Sequence, residues 1–205
     1  MTLFAFSAQP KVARLGIDTQ MADVRGTTST QSKAVPVPHL RAVVFGRGGG
    51  AVIPTTALML NAAGIADVAD APDRLPGILD AATDEMVGAL DYASDTGSLD
   101  VDRMALAEEQ TANAGLVMVA GYSPRAGRVV AYYAQSAGGQ WTVAEQPVPS
   151  RVVYALCDGL EALGAGDGSR GHLRRILQAQ HRAVREGTIP DAELFGEAGC
   201  GGQAT

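Results

Sequence analysis

A hydroxyl, a carboxylate, an amine and a glycine turn lie within the first fifty residues of this 205-residue chain. Thr2 stands beside Met1, Asp18 ends the β-rich run 12–18, and Lys33 precedes the segment 34–38. The apolar run LRAVVF (40–45) empties into Gly46-Arg47-Gly48-Gly49-Gly50. A Thr hydroxyl attacks a carbonyl only when a base takes its proton. A lysine ammonium can lose its proton where its site is shaped for it, and a guanidinium cannot. The chain has two lysines, Lys11 and Lys33, against fourteen arginines, so each lysine is worth a question. Taken singly, each residue also has an ordinary reading. Thr2 is the second residue of a strand, Asp18 a strand-end turn residue, Lys33 a surface cation and Gly46 a tight-turn glycine.

These side chains need strands to position them. LFAFSA (3–8) and VARLGID (12–18), split by Gln9-Pro10-Lys11, read as a β-hairpin. Residues 22–32 are rich in Thr, Ser and Gly and read as a loop or irregular ribbon. The alternating prolines of 34–38 confine that segment to a sheet edge or an extended crossing. Residues 41–45 read as a buried strand.

The pattern then becomes helical. Residues 51–63 form a helix with Pro54 in its first turn and Gly64 at its C-terminus. The acidic segment 66–73 connects to a second helix over 75–92, where Leu75, Ile78, Leu79, Ala82, Met86 and Leu90 recur at helical spacing. Strands are expected at 114–121, 129–135 and 140–143, with turns at 123–128 and 136–139. A helix weakened by Gly159 is expected at 152–163. An amphipathic helix is expected at 170–185, with Leu173, Ile176, Leu177, Gln180 and Val184 on one face. Runs of strands alternating with runs of helices predict an α+β chain: two antiparallel sheets packed together, helices outside.

Composition narrows the function classes. At 46% hydrophobic and 19% charged the chain reads as a folded, soluble protein. A net charge of −6 argues against nucleic-acid and membrane partners. No apolar run approaches the ~20 residues that span a bilayer, and no basic segment with an apolar core marks a secretory signal. Cys157 and Cys200 lack metal-ligand spacing and suggest reduced thiols in the cytoplasm. His39, His172 and His181 form no ligand set, so neither a metal nor another cofactor is expected. The glycine cluster at 46–50 has neither the GxxxxGK[ST] nor the GxGxxG spacing, which argues against a nucleotide site. The arginine-rich helix at 170–185 lacks interleaved aromatics and reads as a solvated or inter-subunit face.

The opening residues resemble the proteasome-type β subunits, which are self-assembling N-terminal-nucleophile hydrolases. The resemblance rests on Thr2, two short strands ending in Asp18, Lys33 in SKAVPVP, and Gly46 at the end of an apolar strand. The segment GYSPRAGRVVAYYAQSAGG (121–139) is similar to that family's strand–turn–strand. The likeness covers about 2–60 and 114–139. It implies a four-layer αββα sandwich over 1–195, with 196–205 as a tail. It implies Thr2 as nucleophile once Met1 is removed, with Lys33 and Asp18 tuning the site and the Gly46 N–H in an oxyanion hole. An α-amine has a reference pKa of about 7.7–8.0, so part of it is neutral near pH 8 and can take the hydroxyl proton. The resemblance further implies a homo-oligomer, ring-shaped in that family, that cleaves peptides or unfolded protein; a partner ATPase stays unidentified. Two parts of the pattern depart. The family's later serine has only Pro147-Val148-Pro149-Ser150 in its region, and its second Asp with a nearby Ser would fall at Glu186-Gly187-Thr188. Those departures leave a second expectation, a catalytically silent structural subunit that keeps Met1. A small-molecule amidohydrolase of the same chemistry is a third.

Overall fold

The hairpin at the N-terminus forms as its pattern predicts, and it seeds the smaller of two sheets. The computed structural model describes residues 4–18, 20–22, 28–30, 32–47, 51–97, 115–154 and 167–186; for 20–22, 28–30, 151–154 and 184–185 it describes the backbone alone. β1 (Phe4–Gln9) and β2 (Val12–Ile17) pair antiparallel, with Phe4 opposite Ile17 and Gln9 opposite Val12. The other edge of β1 is filled by β10 (Ser150–Tyr154), giving the order β10-β1-β2. This corrects the helix expected at 152–163. Val152, Val153 and Tyr154 are β-branched or aromatic residues that suit a strand, and they pair with Phe6, Ala5 and Phe4. Residues 155–163 lie outside the described residues.

The second sheet is antiparallel in the order β5-β6-β7-β8-β9. β5 (Ala34–Val37) is its edge, as Pro36 requires, and β6 (Ala42–Arg47) follows after a 3-10 turn. β7 (Leu116–Ser123) lies between β6 and β8 (Arg128–Ala137), and β9 (Gln140–Gln146) forms the far edge. The β8–β9 turn is Gly138-Gly139 with φ of 57° and 76°, the left-handed pair that a tight hairpin turn demands. A small ribbon, β3 (Gln20–Ala22) with β4 (Thr28–Thr30), stands where the composition suggested a loop or irregular ribbon.

Strand alternation divides the buried side chains between neighbours. Phe4, Phe6 and Ala8 of β1 meet Phe45, Leu116, Met118 and Ala131 of the larger sheet in one apolar cluster. Phe4 and Phe45 stack edge-on at 5.4 Å and 85°. Burying each such ring stabilises the fold by about 1.5–3 kcal/mol. Ala5 points the other way, to Leu173 and Ile176 of the last described helix, α3 (Arg170–Glu186). The opposite side of the larger sheet, with Val44, Val119 and Val130, is covered by α1 (Val52–Ala62) and α2 (Leu75–Asp95) through Leu60 and Leu79. The Trp141 indole N–H reaches α2 by donating to Thr83 Oγ1 at 3.1 Å. The chain is thus a mixed α+β protein with two antiparallel sheets and helices. Among the described residues no helix is long and apolar enough to cross a membrane.

Candidate active site

Asp18 is the residue after β2, and Lys33 is the residue before β5. Between them the chain runs out along β3 and back along β4, with Gln20 opposite Thr30 at the base of the ribbon. That return brings the two side chains together. Lys33 Nζ donates to Asp18 Oδ2 at 2.7 Å, and the side chains are only 7% and 6% exposed. Ser32 donates its hydroxyl to the Ala34 carbonyl at 2.7 Å and so fixes the turn around Lys33.

Gly46 closes the arrangement from the larger sheet. β5 and β6 pair Ala34 with Phe45, and the next residue outward on each strand is Lys33 and Gly46. Ile17, Ala34 and Phe45, the chain neighbours of Asp18, Lys33 and Gly46, all belong to the apolar cluster between the sheets. The three residues therefore sit together at one end of that cluster. Gly46 has φ of 148°, and a Cβ built there would overlap the Leu116 carbonyl oxygen of β7. The position needs glycine for this close approach, whatever else its N–H does. Arg47, the next residue, is half-buried, and that burial pulls its guanidinium below the usual arginine value.

A buried ion pair is a poor way to stabilise a fold. Desolvating two charges costs several kcal/mol per ion, and a well-packed apolar pair of the same volume serves as well or better. Packing alone therefore does not account for an ammonium and a carboxylate held at the end of an apolar core, and the pair is the candidate site.

Of the four residues singled out in the sequence, Thr2 lies outside the described residues. Asp18 and Lys33 are brought into contact, and Gly46 stands in register beside them. Ser150 is elsewhere. It pairs with Ala8 at the opposite end of β1 from Phe4, buried, and among the described residues its hydroxyl has no hydrogen-bond partner. It does not replace the missing serine. Glu186 is exposed at the end of α3, and Gly187 and Thr188 lie outside the described residues. Ser32 and Arg47 escaped the sequence reading. Their signal was adjacency, since each directly neighbours a residue already singled out.

Among the described residues no three His, Cys, Asp or Glu side chains gather as metal ligands. His172 is buried and accepts the Gly168 N–H on Nδ1 at 3.0 Å, whereas His39 and His181 are exposed.

A mixed α+β fold with two antiparallel sheets has solved counterparts. One is the (Gly-1) mutant of Anbu from Hyphomicrobium sp. strain MC1, with a TM-score of 0.52 and 12% identity over 93% of this chain and 78% of that one. Unmutated Anbu from the same organism gives 0.50 and 13% over the same shares. No family model matches the chain, and no curated protein matches it. These findings correct the family assignment drawn from the opening residues. The chain is not placed among the proteasome-type β subunits by sequence. Its likeness is to Anbu, and at this identity it is a likeness of fold alone.

Proposed function

We propose that the chain is an amide hydrolase whose nucleophile is Thr2 after removal of Met1. The buried Lys33–Asp18 pair carries this reading. The β1–β2 ladder ends at Phe4 opposite Ile17, one residue before Asp18. Thr2 is two residues from Phe4, so the covalent chain tethers its Cα within about 7 Å of that ladder end. The ammonium of Lys33 favours the neutral α-amine and the developing alkoxide, and Asp18 holds the ammonium in place.

In the reaction, the α-amine takes the hydroxyl proton while Thr2 Oγ1 attacks the amide carbonyl carbon. The backbone N–H of Gly46 steadies the oxyanion. The C–N bond breaks, the leaving amine departs with the transferred proton, and an ester to Thr2 remains. Water, deprotonated by the same amine, then hydrolyses the ester and restores the hydroxyl. The finer features of the reading are a four-layer αββα order, a cytoplasmic homo-oligomer, and peptides or unfolded protein as substrates.

Intact mass and N-terminal sequencing of native material come first: loss of Met1 is expected, and its full retention would leave a silent structural subunit. A peptide epoxyketone should then add covalently to the Met-free protein, and Thr2→Ala should abolish the adduct. A Met-free protein that resists the probe and cleaves no amide would overturn the proposal.

A further inference from the structure

The smaller sheet covers the larger one unevenly. Antiparallel partners share a face, so Phe45, Met118, Tyr133 and Ala144 form one row across β6 to β9, on the side that meets the smaller sheet. The next row outward on that side is Arg47, Leu116, Gln135 and Thr142. Phe45, Met118 and Leu116 are buried, Tyr133 and Gln135 are half-buried, and Ala144 and Thr142 are exposed. Farther along the same two strands, Ala131 and Gln146 pair and are both buried. A three-stranded sheet on a five-stranded one thus leaves β8 and β9 open at one end. That end is the one next to Lys33, Asp18 and Gly46. Arg47 begins the outer row. Its partner Leu116 belongs to the core between the sheets, whereas Val44 and Val117 face α1 and α2. The Arg47 side chain therefore lies on the open side, half-buried. Neither row contains an acid, and Lys33 and Asp18 offset each other. The pair and the two rows together carry one positive charge, on Arg47, in a chain whose net charge is −6.

From this arrangement we infer that the open end of β8 and β9 is a substrate shelf and that Arg47 selects acidic peptides, with Asp or Glu within about two residues of the scissile bond. The inference rests on the proposed amide hydrolysis and names its substrate class. With the scissile carbonyl at the Gly46 N–H, the guanidinium of the next residue meets a carboxylate close to the reacting bond. A guanidinium binds a carboxylate through two parallel N–H donors, and partial burial strengthens that pairing over the same pair in water. The rest of the peptide passes over Tyr133 and Gln135 towards Thr142, about 14 Å from Arg47 at ordinary strand spacing. Those residues are uncharged, so the demand for an acid is confined to the positions nearest the scissile bond.

The test is cleavage of a fluorogenic peptide panel by the Met-free full chain, with Glu, Gln or Lys placed in turn at each of the nearest positions on either side of the scissile bond. At one or two positions the Glu peptide should exceed its Gln counterpart by roughly tenfold in kcat/KM, with the Lys peptide lowest. Arg47→Met should close the gap between Glu and Gln peptides, chiefly by raising KM for Glu. Arg47→Lys should restore part of it, and Arg47→Glu should turn the order towards Lys peptides. Thr142→Arg, at an exposed position, should add a second preference for acid farther from the scissile bond. Circular dichroism checks that each variant keeps the fold. Cleavage without a preference for acid, or a preference that survives Arg47→Met, would overturn the inference and leave the hydrolase standing. So would a protein that takes the epoxyketone but cleaves no Glu peptide. Absence of any new preference in Thr142→Arg would overturn the shelf. A Met-free protein that neither cleaves nor labels would overturn the proposed function and this inference together.

Discussion

Lys11 and Lys33 stand at opposite ends of the β1–β2 hairpin, one in its turn and the other against its open end. Lys11 is exposed. It donates to the Gly127 carbonyl at 2.9 Å and lies over the Tyr122 ring at 5.8 Å. The Val129 N–H donates to the Pro10 carbonyl beside it, so the turn of one sheet is clasped to the β7–β8 turn of the other. That second turn is held from behind by Asp67, whose Oδ2 accepts the Arg125 N–H at 3.1 Å. Lys33 has a carboxylate partner and almost no solvent. At the Lys11 end a wet cation bonds a neutral carbonyl, which is a modest structural contact. At the Lys33 end two full charges are kept dry, which a fold tolerates only with close pairing. The same residue type is an exposed clasp in one place and half of a buried ion pair in the other.

Breaking the dry end should have the larger effect. Lys33→Met strands a buried carboxylate and should cost about 3–5 kcal/mol in chemical denaturation. Combining it with Asp18→Leu should return most of that stability and none of the epoxyketone labelling, which separates chemistry from packing. Gly46→Ala comes next. The positive φ and the Leu116 carbonyl oppose any Cβ, and a loss of about 1–3 kcal/mol is expected by the same measurement. Lys11→Ala should cost about 1 kcal/mol or less and leave labelling unchanged. Lys11→Arg should be tolerated where Lys33→Arg is not, because a planar guanidinium does not fit a pocket closed around an ammonium.

The smallest effect sharpens the contrast through pH. Burial raises the Asp67 carboxyl, but the Ala69 N–H, the Ser123 hydroxyl and the Arg125 N–H together hold it below the usual carboxylate value. A depressed folded pKa stabilises the protein above the unfolded value, about 3.9, and that share is lost as pH falls through the folded value. Asp67→Asn should therefore lower stability at neutral pH, where the carboxylate's share is present, and flatten the acid limb of a stability-against-pH curve, with little change below the folded value.

Much of this arrangement is legible in the residues. Gln9-Pro10-Lys11 marked the hairpin, Pro36 the edge strand, and the spacing of Leu75, Leu79, Ala82 and Met86 the face α2 buries. β10 was misread because Val152 and Val153 suit a strand or a buried helix turn equally, and the partner that decides between them is β1, far away in sequence. The 3-10 turn Val68–Asp73 was read as a bare connection, since Asp67 reveals itself as a clamp only when Arg125 arrives beside it. The contact of Lys33 with Asp18 was expected from a resemblance, not from spacing. Fifteen residues apart, they meet only because the β3–β4 ribbon doubles back.

The pairing of β1 with β10 has a consequence for the nascent chain. More than 140 residues separate Ala8 from Ser150, so the first strand leaves the ribosome long before its second neighbour exists. Through that interval its backbone donors and acceptors on one side stay open, next to Phe4 and Phe6. A stalled or truncated product ending before residue 150 exposes a sticky ribbon edge to every other such product. Ribosome pausing upstream of that codon should send the material to chaperones or into inclusions.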